Sequence, residues 1–363
     1  MLQYFKGSIA FTVAALILAG LNGYFQEGAL AAVASAVFIA AVLGVMETSL
    51  SLDNAVVNAS VLRDMDEKWV RRFLTWGIAI AVFGMRVVFP IVIVAIAARV
   101  TPWEAVRIAL ADHQRYEEIV TGAHIGISGF GGAFLALVGL SFFFDEDREH
   151  LWLPLIEKPL AAFARIPHAQ YIATLIVVGA LSFFVEGGGQ KPFLIAAAAG
   201  IATFFAVELL GDKMGASEDV TGKIVRTGAA SFVYLEFLDA SFSFDGVIGA
   251  FAITNDIVQI ALGLGIGAMF VRSMTVALVH GGTLSQYRYL EPGAFYAIIA
   301  LAAIMLISTV GVETPEVVTG LVGAAFIGAA FWASVRHKRR FPDEYTAQGN
   351  DEVILPTGNV IRD

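Results

Sequence analysis

Ten apolar runs, each near the length needed to cross a bilayer, constrain this chain more than any other feature. They cover 7–25, 28–52, 73–98, 121–144, 169–186, 190–210, 227–254, 257–280, 291–311 and 315–335. A helix needs roughly 20 mostly apolar residues to cross the hydrocarbon core, whereas a strand needs only about 10. Inside that core, only helices and closed barrels satisfy every backbone polar group. The expected fold class is therefore all-α: a polytopic membrane helical bundle of about 8–10 transmembrane helices. It would occupy 1–340, followed by a polar, disordered cytoplasmic tail over 341–363.

Composition agrees with this. Of 363 residues, 58% are apolar and 15% charged, against about 45–50% and about 25% in soluble domains. The chain has no cysteine, which excludes disulfides, thiolate metal sites and thiol nucleophiles. A net charge of −9 does not suit nucleic acid. No cleavage motif follows the apolar run near the N-terminus, so it reads as a first membrane helix and not as a signal peptide.

Cytoplasmic segments of membrane proteins carry an excess of Lys and Arg. With the N-terminus inside, 17 of the 23 basic residues fall on inner segments, including Arg336-His-Lys-Arg-Arg340, and four on outer ones. Arg86 and Arg272 lie within runs. Both termini are therefore expected in the cytoplasm, as in a bacterial inner (plasma) membrane protein.

Two of the runs contain nearly the same string. One reads Glu47-Thr-Ser-Leu-Ser51-Leu-Asp53-Asn54, the other Asp239-Ala-Ser-Phe-Ser243-Phe-Asp245-Gly246, with Glu236 one turn earlier. Each is followed, in the next run, by a lone arginine, Arg86 or Arg272. The copies are five runs apart and so cross the membrane in opposite directions. That is an inverted-topology repeat, with halves of about 28–145 and 227–335. Transporters built this way hold their substrate near the midplane, at the repeat interface.

An aspartate at the centre of a span costs about 2.5–3.5 kcal/mol. Five intramembrane acids must therefore face protein or a wet cavity. At about 100° per residue, Glu47, Ser51, Asn54 and Asn58 share one helical stripe. Asp239, Ser243, Gly246 and Ala250 form the matching one, while Asp53 and Asp245 point about 120° away from the acid that opens each stripe. Either each helix is broken near its Ser-x-Asp step, freeing carbonyls as ligands, or the outer acid has another role, such as pairing with arginine. A break is expected. Oxygen donors without thiols suit Mn²⁺, Mg²⁺ or Ca²⁺.

With these residues in view, the sequence resembles the TerC family of integral membrane proteins, within the LysE-like transporter superfamily. Glu47-Thr-Ser-Leu-Ser-Leu-Asp53-Asn54-Ala55 is similar to that family's E-x-x-x-S-x-D-N-A signature. Glu236-Phe-Leu-Asp239-Ala-Ser-Phe-Ser-Phe-Asp245 is similar to its E-x-x-D-x-x-F-x-x-D signature. The resemblance covers roughly 40–90 and 230–280. It departs from the family at Asp245-Gly246-Val247, where many members have Asp-Ser-apolar-Pro, and in the longer segment 99–125. The resemblance implies a role in tellurium resistance or manganese efflux, with Glu47, Asp53, Glu236, Asp239 and Asp245 as the metal site. Ser51, Asn54, Asn58, Ser243, Arg86, Arg272 and His124 stand as secondary ligands or gating groups. His124, beside the glycines of 122–132, also reads as a capping or packing residue.

The leading expectation is a secondary transporter, not an enzyme, that exports Mn²⁺ or a similar hard cation and has no tightly bound cofactor. The alternatives are a membrane scaffold or sensor that recruits soluble stress-response proteins, and an intramembrane hydrolase using paired aspartates.

Overall fold

The computed structural model describes residues 2–63, 65–73, 75–145, 148, 151–213, 217–218, 224–225, 228–251, 253–281, 286–312 and 314–341. The expected tail beyond Phe341 and the side chain of Asp245 lie outside the described residues.

The first part of the chain forms α1 (Leu2–Glu27), α2 (Leu30–Leu50), α3 (Leu52–Arg63), α4 (Glu67–Phe73) and α5 (Trp76–Ala79). A π-helical stretch, Ile80–Val88, leads from α5 into α6 (Phe89–Ala97). Next come α7 (Pro102–Ala111), α8 (His113–Gly122), α9 (His124–Phe143) and α10 (Pro154–Ala161). A 3₁₀ turn at Ala162–Arg165 precedes α11 (Ala169–Ser182), α12 (Gln190–Lys213) and α13 (Gly228–Phe251). The last helices are α14 (Ile257–His280), α15 (Leu290–Ser308) and α16 (Glu316–Arg340). A two-residue antiparallel pairing, Ser217–Glu218 with Ile224–Val225, lies between α12 and α13.

The protein is an all-α membrane bundle. Among the described residues, eight helices are long and apolar enough to cross a bilayer, or nine if the sharply bent α10–α11 pair counts as one span. They match eight of the ten expected runs. The two exceptions have physical reasons. α11 is 14 residues long, too short to span alone. The 24-residue α13 carries Glu236, Asp239 and Asp245, so it is not apolar throughout. Large apolar side chains point outward around the bundle, including Leu30 at 83% exposure and Phe183 at 82%. In water such a surface would aggregate; in lipid it is solvated.

Contact registers give the helix directions. α1 and α2 form an antiparallel hairpin, in which Gly20 meets Val33 and Val37, and Gly23 meets Ala32 and Ala36. α14 runs antiparallel to α1: Ser8 bonds Met269 O and Ser273, while Asn22 and Gln26, near the other end, donate to Asp256. α16 runs parallel to α2–α3, with Gly320 against Leu50 and Gly323 against Asp53. The N-terminal end of α1 and the C-terminal end of α16 therefore lie at one end of the bundle.

α9 packs antiparallel on α15. Gly131 faces Met305, Gly132 faces Leu306 and Gly139 faces Ile299, and the Phe142 and Phe295 rings stack. Small residues let helix backbones approach closely where no hydrophobic effect drives them together. α13 is in turn antiparallel to α9, since Ser241 meets Gly131 and Tyr234 meets Phe134. α15 is antiparallel to α16, with Gly293 against Ala330 and Tyr289 N donating to Ser334 Oγ, so followed from helix to helix these directions oppose α13 to α2, as an inverted repeat requires.

The expected helix break occurs in one copy only. α2 and α3 are separated by the single residue Ser51, with φ −101° and ψ 23°. Its N–H still donates to Glu47 O (3.0 Å), and its carbonyl still accepts from Ala55 N (3.4 Å). The break is thus a kink that releases no carbonyl at Ser51. In the second copy, α13 runs unbroken through Ser243, Asp245 and Gly246. The kink lies where Leu50 and Asp53 meet α16 at Gly320 and Gly323.

The segment 99–125, longer than the resemblance implies, forms α7 and α8. Thr101 caps α7 by accepting from Glu104 N, and Asp112 caps α8 by accepting from Arg115 N, which satisfies donors that would otherwise be orphaned. The buried face of the pair (Ala105, Ile108, Ala109, Tyr116 and Val120) packs with Val94 and Ala95 of α6.

Candidate functional site

The stripe read from helical periodicity is realised. Glu47, Ser51, Asn54 and Asn58 all line one cavity of about 40 Å³, room for about three waters. Its opposite wall brings Glu236 and Asp239 from α13, Arg86 from the π-helical stretch and Arg272 from α14. Both motif copies and both trailing arginines thus meet around one space.

The two arginines behave differently. Arg86 donates to Glu47 Oε1 in an ion pair whose side chains are 4% and 3% exposed. The same oxygen accepts from Ser51 Oγ at 3.1 Å. A buried charge is tolerated when paired and hydrogen-bonded, and Glu47 meets both conditions. Arg272 forms no ion pair among the described residues, and its buried Nε has no hydrogen-bond partner. Arg86 Nε and Nη1, Asn58 Oδ1 and Glu236 Oε1 are likewise buried and unsatisfied. Orphaned donors and acceptors around a water-sized space mark a place for water or an ion.

Asp53 does not join this group. It is 5% exposed, accepts from Asn54 N at 3.0 Å, and lines a second cavity of about 40 Å³ with Phe242, Gly246, Thr319, Gly320 and Gly323. Glu47, Ser51 and Asn54 line both cavities and form the layer between them. The angular argument that set Asp53 apart from Glu47 therefore holds, despite the kink at Ser51.

Among the described residues, no three carboxylates or imidazoles converge closely enough to hold one ion. In this conformation Arg86 neutralises Glu47, and Asp53 lies in the other cavity. Ser243 is buried on α13. His124, at the start of α9, shares a hydrogen bond with Ser128 at 3.2 Å and lines neither cavity.

Motif reading named Gly246 only as part of a stripe and overlooked the other glycines that pack against the acids. A Cβ on Gly246 would lie 2.5 Å from Glu47 Oε2, and one on Gly267 would collide with Glu47 Cβ and Cγ. A Cβ on Gly323 would lie 2.9 Å from Asp53 Oδ2. Both acids of the first copy are thus held by bare backbone of other helices. The run Gly263-Leu-Gly265-Ile-Gly267 is the visible signal, because glycine within a helix costs about 1 kcal/mol relative to alanine. A second buried pair was also missed: Glu157, fully buried, accepts from Arg148, Trp152 N, Leu153 N and Tyr296 OH. It lies away from both cavities and ties the loop before α10 to α15.

Comparison with curated proteins and with solved structures finds no match. A model of the family described as "Protein of unknown function (DUF475)" matches residues 52–341. That match spans α3 to the end of α16, including Asp53, Arg86, the whole second motif and Arg272, and the chain belongs to the DUF475 family.

Proposed function

We propose that this protein is a secondary transporter that exports a hard divalent cation, with Mn²⁺ as the leading candidate, in the manner implied by its resemblance to the TerC family. One observation carries the reading: Glu47, Glu236 and Asp239 from opposed motif helices line a single cavity of about 40 Å³ together with Ser51, Asn54 and Asn58. An all-oxygen donor set suits Mn²⁺, Mg²⁺ or Ca²⁺.

The charges around this cavity indicate how it would work. Three carboxylates face two guanidinium groups, a formal net charge of −1, so a divalent ion is accommodated best if one arginine withdraws. Arg86 already occupies Glu47 and is the group that the cation would displace. The π-helical geometry around Arg86 is a form often found at functional sites. On this reading both termini are cytoplasmic, as the positive-inside bias expects.

Mn²⁺ flux into proteoliposomes under an imposed gradient tests the proposal. Wild-type protein should move Mn²⁺, while Asp239→Asn, which removes a cavity carboxylate at constant size, should reduce flux at least tenfold. No wild-type flux, or normal flux through Asp239→Asn, would refute it.

A further inference from the structure

The basic run Arg336-His-Lys-Arg-Arg340 lines neither cavity. At about 100° per residue, Leu321, Trp332, Arg336 and Arg339 fall on one face of α16. That face points out of the bundle, with Leu321 63% and Trp332 62% exposed. The opposite face packs inward, where Gly323 meets Asp53 and buried Ser334 accepts from Tyr289 N at 3.0 Å. From Leu321 to Trp332 the outward face runs about 16 Å, close to half of the ~30 Å hydrocarbon core. It is thus one leaflet of apolar contact, ending in cations at the end of the bundle that holds both termini.

Those cations are held by aromatic rings. The Arg336 guanidinium lies 5.4 Å from the Trp332 ring centre, and that of Arg340 lies 5.7 Å from Phe341. A ring attracts a cation without cancelling its charge, and Arg336, Arg339 and Arg340 form no ion pair among the described residues. The turn before α15 adds to the cluster from a second helix. Arg288 Nη1 donates to His337 Nε2 at 3.3 Å, and Lys338 Nζ lies 5.9 Å from the Tyr287 ring centre. Cations at a helix C-terminus complement its dipole. That accounts for the last turn of α16, but not for Arg288 or for the apolar strip that leads up to the charges. Basic clusters just beyond a membrane helix, and basic pockets between two of them, take anionic lipid headgroups.

We propose that the end of α16, with the turn before α15, is a binding site for an anionic phospholipid. The headgroup meets Arg336, Arg339 and Arg340, with Arg288 and Lys338 on the α15 side, and an acyl chain lies along Trp332 toward Leu321. The site rests on the membrane-bundle fold and does not depend on the transport reading.

The test titrates the full chain in detergent micelles with phosphatidylglycerol or with phosphatidylcholine of the same acyl chains, and reads the first bound lipid by native mass spectrometry. Near an anionic lipid surface each Lys or Arg strengthens binding about fivefold. Phosphatidylglycerol should therefore bind at least about tenfold more tightly than phosphatidylcholine, and Arg336→Gln/Arg339→Gln/Arg340→Gln should remove most of that preference. The three side chains are exposed, so this variant should fold. The single variant Arg288→Gln reads the same site from the other helix and should weaken phosphatidylglycerol about fivefold. Lys6→Gln/Lys68→Gln/Lys158→Gln removes the same charge from exposed positions at the same end of the bundle and should keep the preference. Equal affinity for the two lipids would overturn the site. Equal losses in the two triple variants would also overturn it, leaving only diffuse attraction. Full displacement of phosphatidylglycerol by inorganic phosphate would overturn the lipid as occupant in favour of a free anion.

Discussion

Replacing Arg86 with methionine removes the positive half of the buried pair with Glu47 and keeps most of the apolar stem. Both side chains are almost fully enclosed, at 4% and 3% exposure, so only the few waters that the first cavity can hold could replace the guanidinium. Breaking a buried pair by removing one partner typically costs about 3–5 kcal/mol, because the other charge is left uncompensated. Removing both charges is far milder. In Glu47→Met/Arg86→Met the uncompensated carboxylate is gone, and the main remaining loss is the Ser51 hydrogen bond to Glu47, worth about 1 kcal/mol. The double variant should therefore recover about 2–4 kcal/mol relative to Arg86→Met. If Arg86 stands where the cation binds, Mn²⁺ should rescue the single variant, and ligand at 100 times its Kd contributes about 2.7 kcal/mol. Equilibrium denaturation in mixed micelles, with and without Mn²⁺, measures all three quantities. A double variant no more stable than Arg86→Met would refute the electrostatic account of the pair. Arg86→Met that gains nothing from Mn²⁺ would refute the view of Arg86 as a tethered substitute for the cation.

Gly246→Ala should cost about 1–3 kcal/mol by overpacking, since its Cβ would lie 2.5 Å from a Glu47 oxygen held by Arg86 and Ser51. Gly179→Ala, which meets nothing within 4 Å, is the control and should be neutral or slightly stabilising in the same denaturation assay. Glu157→Gln should destabilise by about 3–5 kcal/mol by stranding Arg148, yet leave Mn²⁺ flux per folded molecule unchanged; a selective loss of flux would place this pair in the transport path. Asp256→Ala removes the α14 cap, which accepts from Val258 N and Gln259 N, together with the tie to Asn22 and Gln26 of α1. It should cost about 1–2 kcal/mol from the cap alone, with faster amide exchange at the start of α14.

Much of the bundle was legible because its signals are local. Run length and composition mark the membrane helices residue by residue, and the eight apolar helices coincide with the expected runs. The stripe of Glu47, Ser51, Asn54 and Asn58 was legible for the same reason: helical periodicity depends only on spacing, and all four residues reach one cavity. The duplicated motif likewise carried the opposed directions of α2 and α13. A break near the Ser-x-Asp step was expected in both copies and occurs in one, at Ser51, where the helix meets α16, a partner far away in sequence.

The chain's own order thus determined the kind of protein this is: an α-helical membrane bundle with carboxylates and arginines committed to its interior, and the face of α2–α3 that carries them. Only the tertiary structure decided who meets whom. It paired Arg86 with Glu47 and left Arg272 without an ion pair among the described residues, although both follow their motifs in the same way. It also separated Asp53 from Glu236 and Asp239 and seated it against Gly323. The reason is geometric. Periodicity fixes the direction of a side chain about its own helix axis, but an ion pair also needs the depth and rotation of a second helix. Those are set by the glycine contacts that allow α13, α14 and α16 to close on α2 and α3.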